Sequence, residues 1–532
     1  MLGPRSAASQ TFRGRKGWVA AKGINKKKDY RPTIGSGGAV GDWHGPRSVF
    51  CWPSAIPPEP TAPDYTHSPR CDRPQWPPRP KSGLPPMLPQ IIRRPAPIVA
   101  ACLITVAGLV GAEQTPSSEA GPKPAPVLWV PSDGANAPMG VGKGIFPGRV
   151  TWIRDLASTP WDGKTGNWWD EGTGIRLPVV NKMMSKSLDA LTGAHSDPQA
   201  WVALFEYFNE THRQLKRGYG AGEKIAIKIN CNNAYGGYGD VDGQIDQSPQ
   251  VLFSLLDQLI DVAGVPQEMI SVYEAARVIP DRVFTKPHAA FPGVRFIDSQ
   301  GNGKNGRFPV EYQKDALHFS VAEPHVGRDL PRCVTEATYL INLTLVKGHP
   351  TTGVSLTAKN HYGTVDVRDH DVYVNSHSHP MATYHPFVDM IGSKQLGGKT
   401  LLFILDGLYG VRDVNDNVAE HGHWTKLFHG EWMASIFMSQ DPIAIDSVGL
   451  DFLRAEFPFG RFTDFEPMKN CDNYMHEAAL AANPPSGTHY APDGVPLKCL
   501  GVHEHWNNET DRQYSRNLGR DEGIELLKIG AD

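Results

Sequence analysis

The residues best suited to chemistry follow two apolar stretches of the sequence. Lys228 and Asn230 follow the first stretch, and Lys347 and His349 follow the second. A short distance beyond the second stretch come three further polar residues, Lys359, Asn360 and His361. Ammonium groups bind carboxylates or phosphates, and imidazoles transfer protons near neutral pH. The pattern therefore predicts a site for a small anionic ligand.

Two aspartates are candidates for a metal site. Asp406 follows a later apolar stretch, and Asp446 lies in the first two turns of a helix that begins at Asp441-Pro442. Asp441 itself is explained as a helix N-cap. Asp406 and Asp446, together with a histidine, would suit a hard or borderline divalent ion. The cofactor is otherwise unknown, and we expect a divalent metal if there is one.

A second set of histidines occupies the middle of the chain: His377, His379, His385, His421, His423 and His429. Two pairs have alternate spacing, which on a strand would place both rings on one face. Scattered loop histidines are more often structural than metal-binding, and zinc or copper binding is the alternative. The later His503-Glu504-His505 does not have the spacing of the zinc-protease helix motif.

Strands and helices alternate in the pattern that surrounds these residues. The predicted strands are 148–153, 223–230, 269–273, 294–297, 338–346 and 399–405. Helices are predicted to begin at Ser196, Ser248 and Asp441, each followed by proline in the first turn. This order predicts an α/β fold with a mainly parallel sheet and helices on both faces. Ligands bind beyond the carboxyl ends of such strands, so the polar groups should meet at one rim.

The leading interpretation is an enzyme that acts on a small or glycan-derived anionic substrate. His349, His361 and Lys359 would be its catalytic residues. Its substrate-binding residues would be Lys228, Asn230, Lys347 and Asn360. A non-catalytic binding protein for an anion or a metal is the second class, and a structural or surface protein is the third.

Five motifs in order resemble those of the family known as domain of unknown function 362. They are Lys228-Ile229-Asn230, Gly348-His349, Gly353 to Asn360 with Gly363, Asp406-Gly407, and Ser439 to Asp446. The resemblance covers roughly residues 222–456. It implies an α/β domain and frequent export, and it supplies no settled activity. Many relatives carry ferredoxin-type cysteines, which this chain lacks, so no iron–sulfur cluster is expected.

The 532-residue chain divides into a basic leader and an acidic body. Residues 1–86 are rich in proline, carry a net charge of +9 and are expected to be disordered. They are either a basic nucleic-acid-binding arm or the product of an overextended start site. Residues 113–532 carry a net charge of −14, so nucleic acid is not an expected partner of the body.

Residues 87–112 have the three parts of a secretory signal peptide. Arg93 and Arg94 are basic, Ile98 to Val110 are apolar, and the small residues that end at Ala112 form a cleavage site. The mature protein is therefore expected to be exported, in the periplasm, without a stable transmembrane anchor. It would consist of a linker (113–145), an α/β domain (146–460) and a loop-rich C-terminal extension packed on that domain (461–532).

Export permits disulfides among the cysteines of the mature chain. These are Cys231, Cys333, Cys471 and Cys499, and none of them form a Cys-x-x-Cys pair. Two interpretations stay open: a Cys471–Cys499 disulfide, or four buried free thiols.

Overall fold

The computed structural model describes residues 133–231, 234, 237–321, 328–365, 379–457 and 470–530. The predicted N-terminal extension, the signal peptide, most of the linker and His377 lie outside these residues.

The described chain forms sixteen strands. They are β1 (Met139–Gly140), β2 (Arg149–Arg154), β3 (Ile225–Lys228), β4 (Ile270–Glu274), β5 (Arg295–Asp298), β6 (Arg307–Pro309), β7 (Tyr312–Gln313), β8 (Leu330–Pro331), β9 (Tyr339–His349), β10 (Gly353–Val354), β11 (Thr400–Val411), β12 (His423–Trp424), β13 (Glu431–Trp432), β14 (Ser435–Ser439), β15 (Val502–His503) and β16 (Glu525–Ile529).

Ten α-helices accompany the strands. They are α1 (Leu177–Thr192), α2 (Asp197–Arg213), α3 (Pro249–Asp257), α4 (Asp281–Ala290), α5 (Arg332–Thr335), α6 (Thr357–Tyr362), α7 (Pro386–Gly392), α8 (Val418–His421), α9 (Pro442–Glu456) and α10 (Asn473–Ala479). Shorter turns are 3₁₀ helices at Leu156–Ser158, Gln267–Met269, Gly397–Lys399 and Arg516–Leu518, and a π-helical turn at Gln258–Val262 continues α3. Among these described residues, no helix combines the length and apolar character needed to span a bilayer.

One large sheet organises the fold. Its strand order is β16-β2-β14-β11-β9-β3-β4-β5-β6, with β10 attached to β9 as a hairpin. The pairs from β11 through β9, β3, β4 and β5 to β6 are all parallel, as is the β16–β2 pair. The strand β14 runs antiparallel to both of its neighbours. The prediction of a mainly parallel sheet is confirmed.

Apolar residues on the two faces of the sheet form two separate cores. Ile225 and Ile227 of β3 belong to the core that contains α1, α2, α3 and α4. Ala226, which points to the opposite face, belongs to the core that contains α6, α7, α9 and α10. Because side chains alternate along a strand, Lys228 falls on the same face as Ala226, toward α6. The predicted arrangement of helices on both faces is confirmed.

Local signals explain several of the helix boundaries. Proline occupies the first turn of α1, α2, α3 and α9, where its missing N–H costs no hydrogen bond. Oδ1 of Asp441 accepts hydrogen bonds from Ile443 N (3.0 Å) and Ala444 N (2.9 Å), as predicted for an N-cap. Gly193 ends α1 with φ of 71°, a left-handed conformation that glycine adopts without strain.

Four elements differ from the sequence prediction. The strand β11 extends to Val411, well beyond the predicted end at Leu405. The helix α1 and the strand β14 were not predicted. The C-terminal region is not only loops, because β16 pairs with β2 as an edge strand of the main sheet.

The four cysteines that the structure describes form no disulfide. They are Cys231, Cys333, Cys471 and Cys499, of which Cys231 and Cys471 are buried. The suggested Cys471–Cys499 disulfide is therefore wrong. Cys333 and Cys499 are only partly buried, so the alternative of four free thiols is right while full burial is not.

Candidate functional site

The ends of β3, β4 and β9 place the predicted ligand-binding residues beside α6. The strand β3 lies between β4 and β9, and Lys228 is opposite Tyr273 on one side and Asn342 on the other. The chain leaves β9 through the β10 hairpin and returns over this edge as α6. Nδ2 of Asn360, in α6, donates to Oδ1 of Asn342 at 2.8 Å, which joins the helix to β9.

Lys228 is the centre of a buried hydrogen-bond network. Its Nζ donates to Oε2 of Glu274 (2.8 Å), to the carbonyl of Ile229 (2.6 Å) and to Oδ1 of Asn360 (3.1 Å). Oε2 of Glu274 also accepts from Cys231 N at 3.2 Å. A buried charge needs both an opposite charge and hydrogen-bond partners, and this network supplies them. Lys228 and Glu274 therefore form a fixed wall of the site.

A small cleft, which we call the basic cleft, opens beside this network. Its lining residues are Lys228, Asn230, Glu274, Ala276, Arg277, Ser355, Lys359, Asn360, Tyr362 and Gly363. Three of these side chains are basic and one is a carboxylate. The free volume inside is about 20 Å³, enough for one water-sized group. The cleft can therefore take the charged end of a ligand but not a whole sugar ring.

Lys359 and Lys347 are buried lysines whose surroundings disfavour the charged form of the side chain. Burial lowers the pKa of Lys359 well below its ordinary value, and the charges of Lys347, Lys228 and Arg277 lower it further. Nζ of Lys359 lies 4.8 Å from the centre of the Tyr362 ring.

Lys347 lies behind the cleft, where its Nζ donates to Oγ of Ser355 at 3.1 Å. Burial lowers the pKa of Lys347 to about 7, although Asp246 and Asp413 favour the charged form. Both lysines therefore lose protons more readily than a lysine in water, and a bound anion would help them to keep those protons.

The two predicted catalytic histidines do not line the cleft. His361 is buried behind it, with Nε2 3.2 Å from Nδ2 of Asn342. Burial, helped by the charge of Lys228, lowers the pKa of His361 to about 3, so the ring is neutral and Nε2 accepts this hydrogen bond. His349 lies at the β9–β10 hairpin, where its Nδ1 accepts from Thr351 N at 3.2 Å. Of the three predicted catalytic residues, only Lys359 lines the cleft.

Asp406 has a structural role in the middle of β11 rather than at a strand end. Its Oδ2 accepts from Nε2 of Gln247 (2.8 Å) and from Ser248 N (3.0 Å), and its Oδ1 accepts from Leu408 N (3.2 Å). Burial raises the pKa of Asp406 to about 6. The carboxylate thus fixes the start of α3 to the sheet.

Asp446 likewise holds the start of α6. Its Oδ1 accepts from Thr357 N at 2.8 Å, and its Oδ2 accepts from Ala358 N and from the hydroxyl of Tyr474, both at 2.9 Å. Burial raises the pKa of Asp446 to about 6. Among the described residues, the groups of ligand-type side chains close enough to share an ion include neither Asp406 nor Asp446.

His421 and His423 do not form a site on one strand. His421 ends α8 and His423 begins β12, so their alternate spacing does not put both rings on one strand face. The His423 ring stacks on Trp432 with 3.7 Å between the ring centres. His385 accepts a hydrogen bond from Phe387 N at its Nδ1 and is buried.

Sequence reasoning missed the two other charged residues of the basic cleft and a separate cluster of histidines. Glu274 and Arg277 follow the predicted strand 269–273, and the same strand-end argument would have found them. His503 and His505 were noted only for lacking a protease spacing. Their alternate positions on an extended segment, together with a histidine on a helix, were the overlooked signal.

One family model matches this chain. Residues 307–451 match the family described as Domain of unknown function (DUF362), which confirms the resemblance over that segment. The segment runs from β6 to the later part of α9 and includes Ser355, Lys359 and Asn360 of the cleft. Lys228 and Glu274 precede it. No curated protein and no solved structure matches the chain.

Proposed function

We propose that the protein binds a small anion, or the anionic end of a larger molecule, in the basic cleft. The residues that line the cleft support this proposal. Lys228, Arg277 and Lys359 surround one small opening, and among the described lining residues only Glu274 carries a negative charge. The position at the carboxyl ends of parallel strands is where open α/β sheets bind ligands.

Electrostatics supports an anion rather than a neutral ligand. Burial lowers the pKa of Lys359, and repulsion by the neighbouring basic side chains lowers it further. An anion bound between them would reduce that repulsion, and its own charge would be stabilised by hydrogen bonds from ammonium groups. Asn230 and Asn360 would orient the ligand.

The size of the cleft narrows the ligand class. About 20 Å³ of free volume admits a single small group, such as an oxygen of a carboxylate, sulfate or phosphate. A glycan-derived ligand would therefore enter only through a charged substituent. The sugar itself would stay outside the cleft.

Ligand-induced stabilisation tests this proposal. Thermal unfolding of the full chain is followed with increasing sodium sulfate, and with sodium chloride at matched ionic strength. A ligand that binds only the folded state raises the unfolding temperature by mass action. We expect sulfate to stabilise the protein beyond chloride. Equal stabilisation by the two salts would contradict the proposal.

Matched variants assign the effect to the cleft. Lys359→Met removes a cleft ammonium group, whereas Lys304→Met removes an exposed lysine outside the cleft. Sulfate should stabilise the Lys304 variant as it does the wild type and should lose its specific effect on the Lys359 variant. Retention of the full effect in the Lys359 variant would place the anion elsewhere.

An enzymatic role for the same cleft is the second candidate, and the position of Lys359 favours it. A lysine that is desolvated and adjacent to other cations has a larger neutral fraction and reacts as a nucleophile or base. Glyoxylate, a small anionic aldehyde, would form an imine with this amine and release water. Cyanoborohydride would reduce the imine and leave a carboxymethyl group on Nζ. Peptide mass spectrometry should then find faster modification at Lys359 than at Lys304.

We propose further that the protein is exported and cleaved near Ala112. The support is the order of basic, apolar and small residues in 87–112. N-terminal sequencing of the protein from its native cells tests this directly. A mature N-terminus at Glu113 is expected, and a protein that retains residues before Met87 would overturn the proposal.

A further inference from the structure

Three histidines and two aspartates meet on the face of the molecule where α10 and β15 pack together. Asp472 precedes α10 and His476 lies one turn later, so the two share a helix face. His503 ends β15, and His505 follows two residues on, on the same side of an extended chain. Asp133 approaches from the segment before β1, the partner of β15. We call these five residues the histidine cluster.

Two overlapping groups of ligand atoms in the histidine cluster are close enough to share an ion: Asp133, His503 and His505 form one, and Asp472, His476 and His503 form the other, with all atoms of each group within 4.8 Å of one another. Oδ2 of Asp133 lies 3.0 Å from Nε2 of His476, 3.2 Å from Nε2 of His503 and 3.8 Å from Nε2 of His505. Oδ2 of Asp472 lies 3.9 Å from Nε2 of His505. A tetrahedral ion about 2.1 Å from each ligand holds neighbouring ligand atoms about 3.4 Å apart. The observed separations bracket that value.

In two of these rings the other nitrogen, Nδ1, already makes a hydrogen bond that fixes the orientation of the ring. Nδ1 of His505 lies 2.7 Å from Oδ1 of Asp451, and it donates because a carboxylate only accepts. Nδ1 of His503 lies 2.8 Å from Oγ of Ser447, whose hydrogen goes to the carbonyl of Ile443 at 2.7 Å. Both rings therefore carry hydrogen on Nδ1. In the neutral rings, their Nε2 atoms present lone pairs to the centre of the cluster.

Imidazole nitrogens and carboxylate oxygens therefore face each other in a buried part of the protein. His503 and Asp472 are fully buried, while His476 and His505 are 7% and 5% exposed. Nε2 of His476, Nε2 of His505 and Oδ1 of Asp472 have no hydrogen-bond partner within the described part of the chain. Buried polar atoms without partners are rare because they lose hydration without compensation. A cation held in the cluster would give such buried atoms a partner.

The geometry points to a binding site for a divalent transition-metal ion, zinc first, held by Asp133, His503 and His505, with His476 and Asp472 beside them. Imidazole and carboxylate together suit zinc and its first-row neighbours rather than magnesium or calcium. The Asp451–His505 hydrogen bond is the kind of outer contact that orients a metal-binding imidazole.

The site is accessible from one side. Asp133 and His505 line a cleft of about 320 Å³ together with Arg454, Asn507 and Asn508. An ion there would keep a face open to water or a small ligand, as in catalytic rather than structural zinc sites. Such an ion exchanges with chelators, so a metal can be removed and replaced under native conditions.

Cobalt titration of the full-length protein tests the proposal. The protein is dialysed against a chelator and then titrated with Co²⁺, whose visible absorption reports nitrogen and oxygen ligands, followed by competition with Zn²⁺. We expect one equivalent of Co²⁺ to bind and Zn²⁺ to displace it. A wild-type protein that shows no saturable Co²⁺ absorption overturns the proposal, whatever the variants do.

Variants assign the metal to this cluster. His503→Gln and His505→Gln remove ligands, and His195→Gln removes an exposed histidine elsewhere. Each ligand variant should bind Co²⁺ at least tenfold more weakly, while the His195 variant should match the wild type. Asp451→Asn, a milder change, should weaken binding by about tenfold or more through the orientation of His505. Wild-type affinity in the His503/His505 double variant would overturn the assignment.

Discussion

Nζ of Lys228 lies 2.8 Å from Oε2 of Glu274, and both side chains are at most 4% exposed. The pair connects the ends of two neighbouring parallel strands, β3 and β4, directly beneath the basic cleft. It gives the cleft a rigid wall, and it also makes the wall sensitive to any change that leaves one charge alone. Substitution of either residue therefore tests whether the ion pair stabilises this wall of the cleft.

Removal of one member of this pair should destabilise the protein strongly. Lys228→Met leaves the Glu274 carboxylate buried without its counter-charge, which costs about 3–5 kcal/mol of unfolding free energy. The combined change of Lys228→Met and Glu274→Leu should cost less than the sum of the two single changes. Urea unfolding of the four proteins measures this coupling. Strictly additive effects would show that the pair does not act as a unit.

Asp446 should stabilise the protein because its carboxylate accepts hydrogen bonds from the backbone at the start of α6. Asp446→Ala leaves the backbone donors of Thr357 and Ala358 buried and unsatisfied, at roughly 1–3 kcal/mol for each group. Urea unfolding should show a loss of at least about 2 kcal/mol on this scale. Asp441→Ala, which uncaps α9, provides the comparison within the same fold. A loss below that of an exposed control such as Lys304→Met would contradict the capping role.

The lowered pKa of Lys347 predicts how the stability of the protein depends on pH. Its pKa is about 7 in the folded protein, below its ordinary value of 10.5. Between these two values the unfolded chain holds a proton that the folded protein has released, so stability rises with pH across that window. The slope from one such group is at most about 1.4 kcal/mol per pH unit.

Lys347→Met should remove this part of the slope. Unfolding free energies of the wild type and the variant, measured at pH 7 and pH 9, make the comparison. The wild type should gain more stability than the variant between the two pH values. Parallel changes in both proteins would mean that Lys347 keeps an ordinary pKa.

Periodicity and strand-end reasoning recovered the sheet because its signals are local. Alternation in 223–230 and the continuous apolar run in 338–346 locate β3 and β9, and proline in the first turn locates α2, α3 and α9. The gathering of Lys228, Lys359 and Asn360 followed from parallel topology alone. The resemblance to the unknown-function family added the order of the motifs, now confirmed for 307–451.

Other features depended on contacts that no local pattern encodes. Lys228 and Glu274 are 46 residues apart, and their pairing needs the register of β3 with β4. Asp406 and Asp446 were expected to bind metal, yet each accepts hydrogen bonds from backbone N–H groups of a distant segment. The histidine cluster joins Asp133 to His503, which lies 370 residues further along the chain, because β1 pairs with β15.

Calorimetric titration of the full chain with sulfate measures whether the basic cleft binds an anion. At pH 6.5 we expect saturable binding to one site, unchanged in Lys304→Met and at least tenfold weaker in Lys359→Met. Affinity should fall as pH rises through about 7, since Lys347 behind the cleft loses its proton there while sulfate keeps its charge. Absent sulfate binding, or equal affinity in the wild type and the Lys359 variant, would contradict anion binding in the cleft.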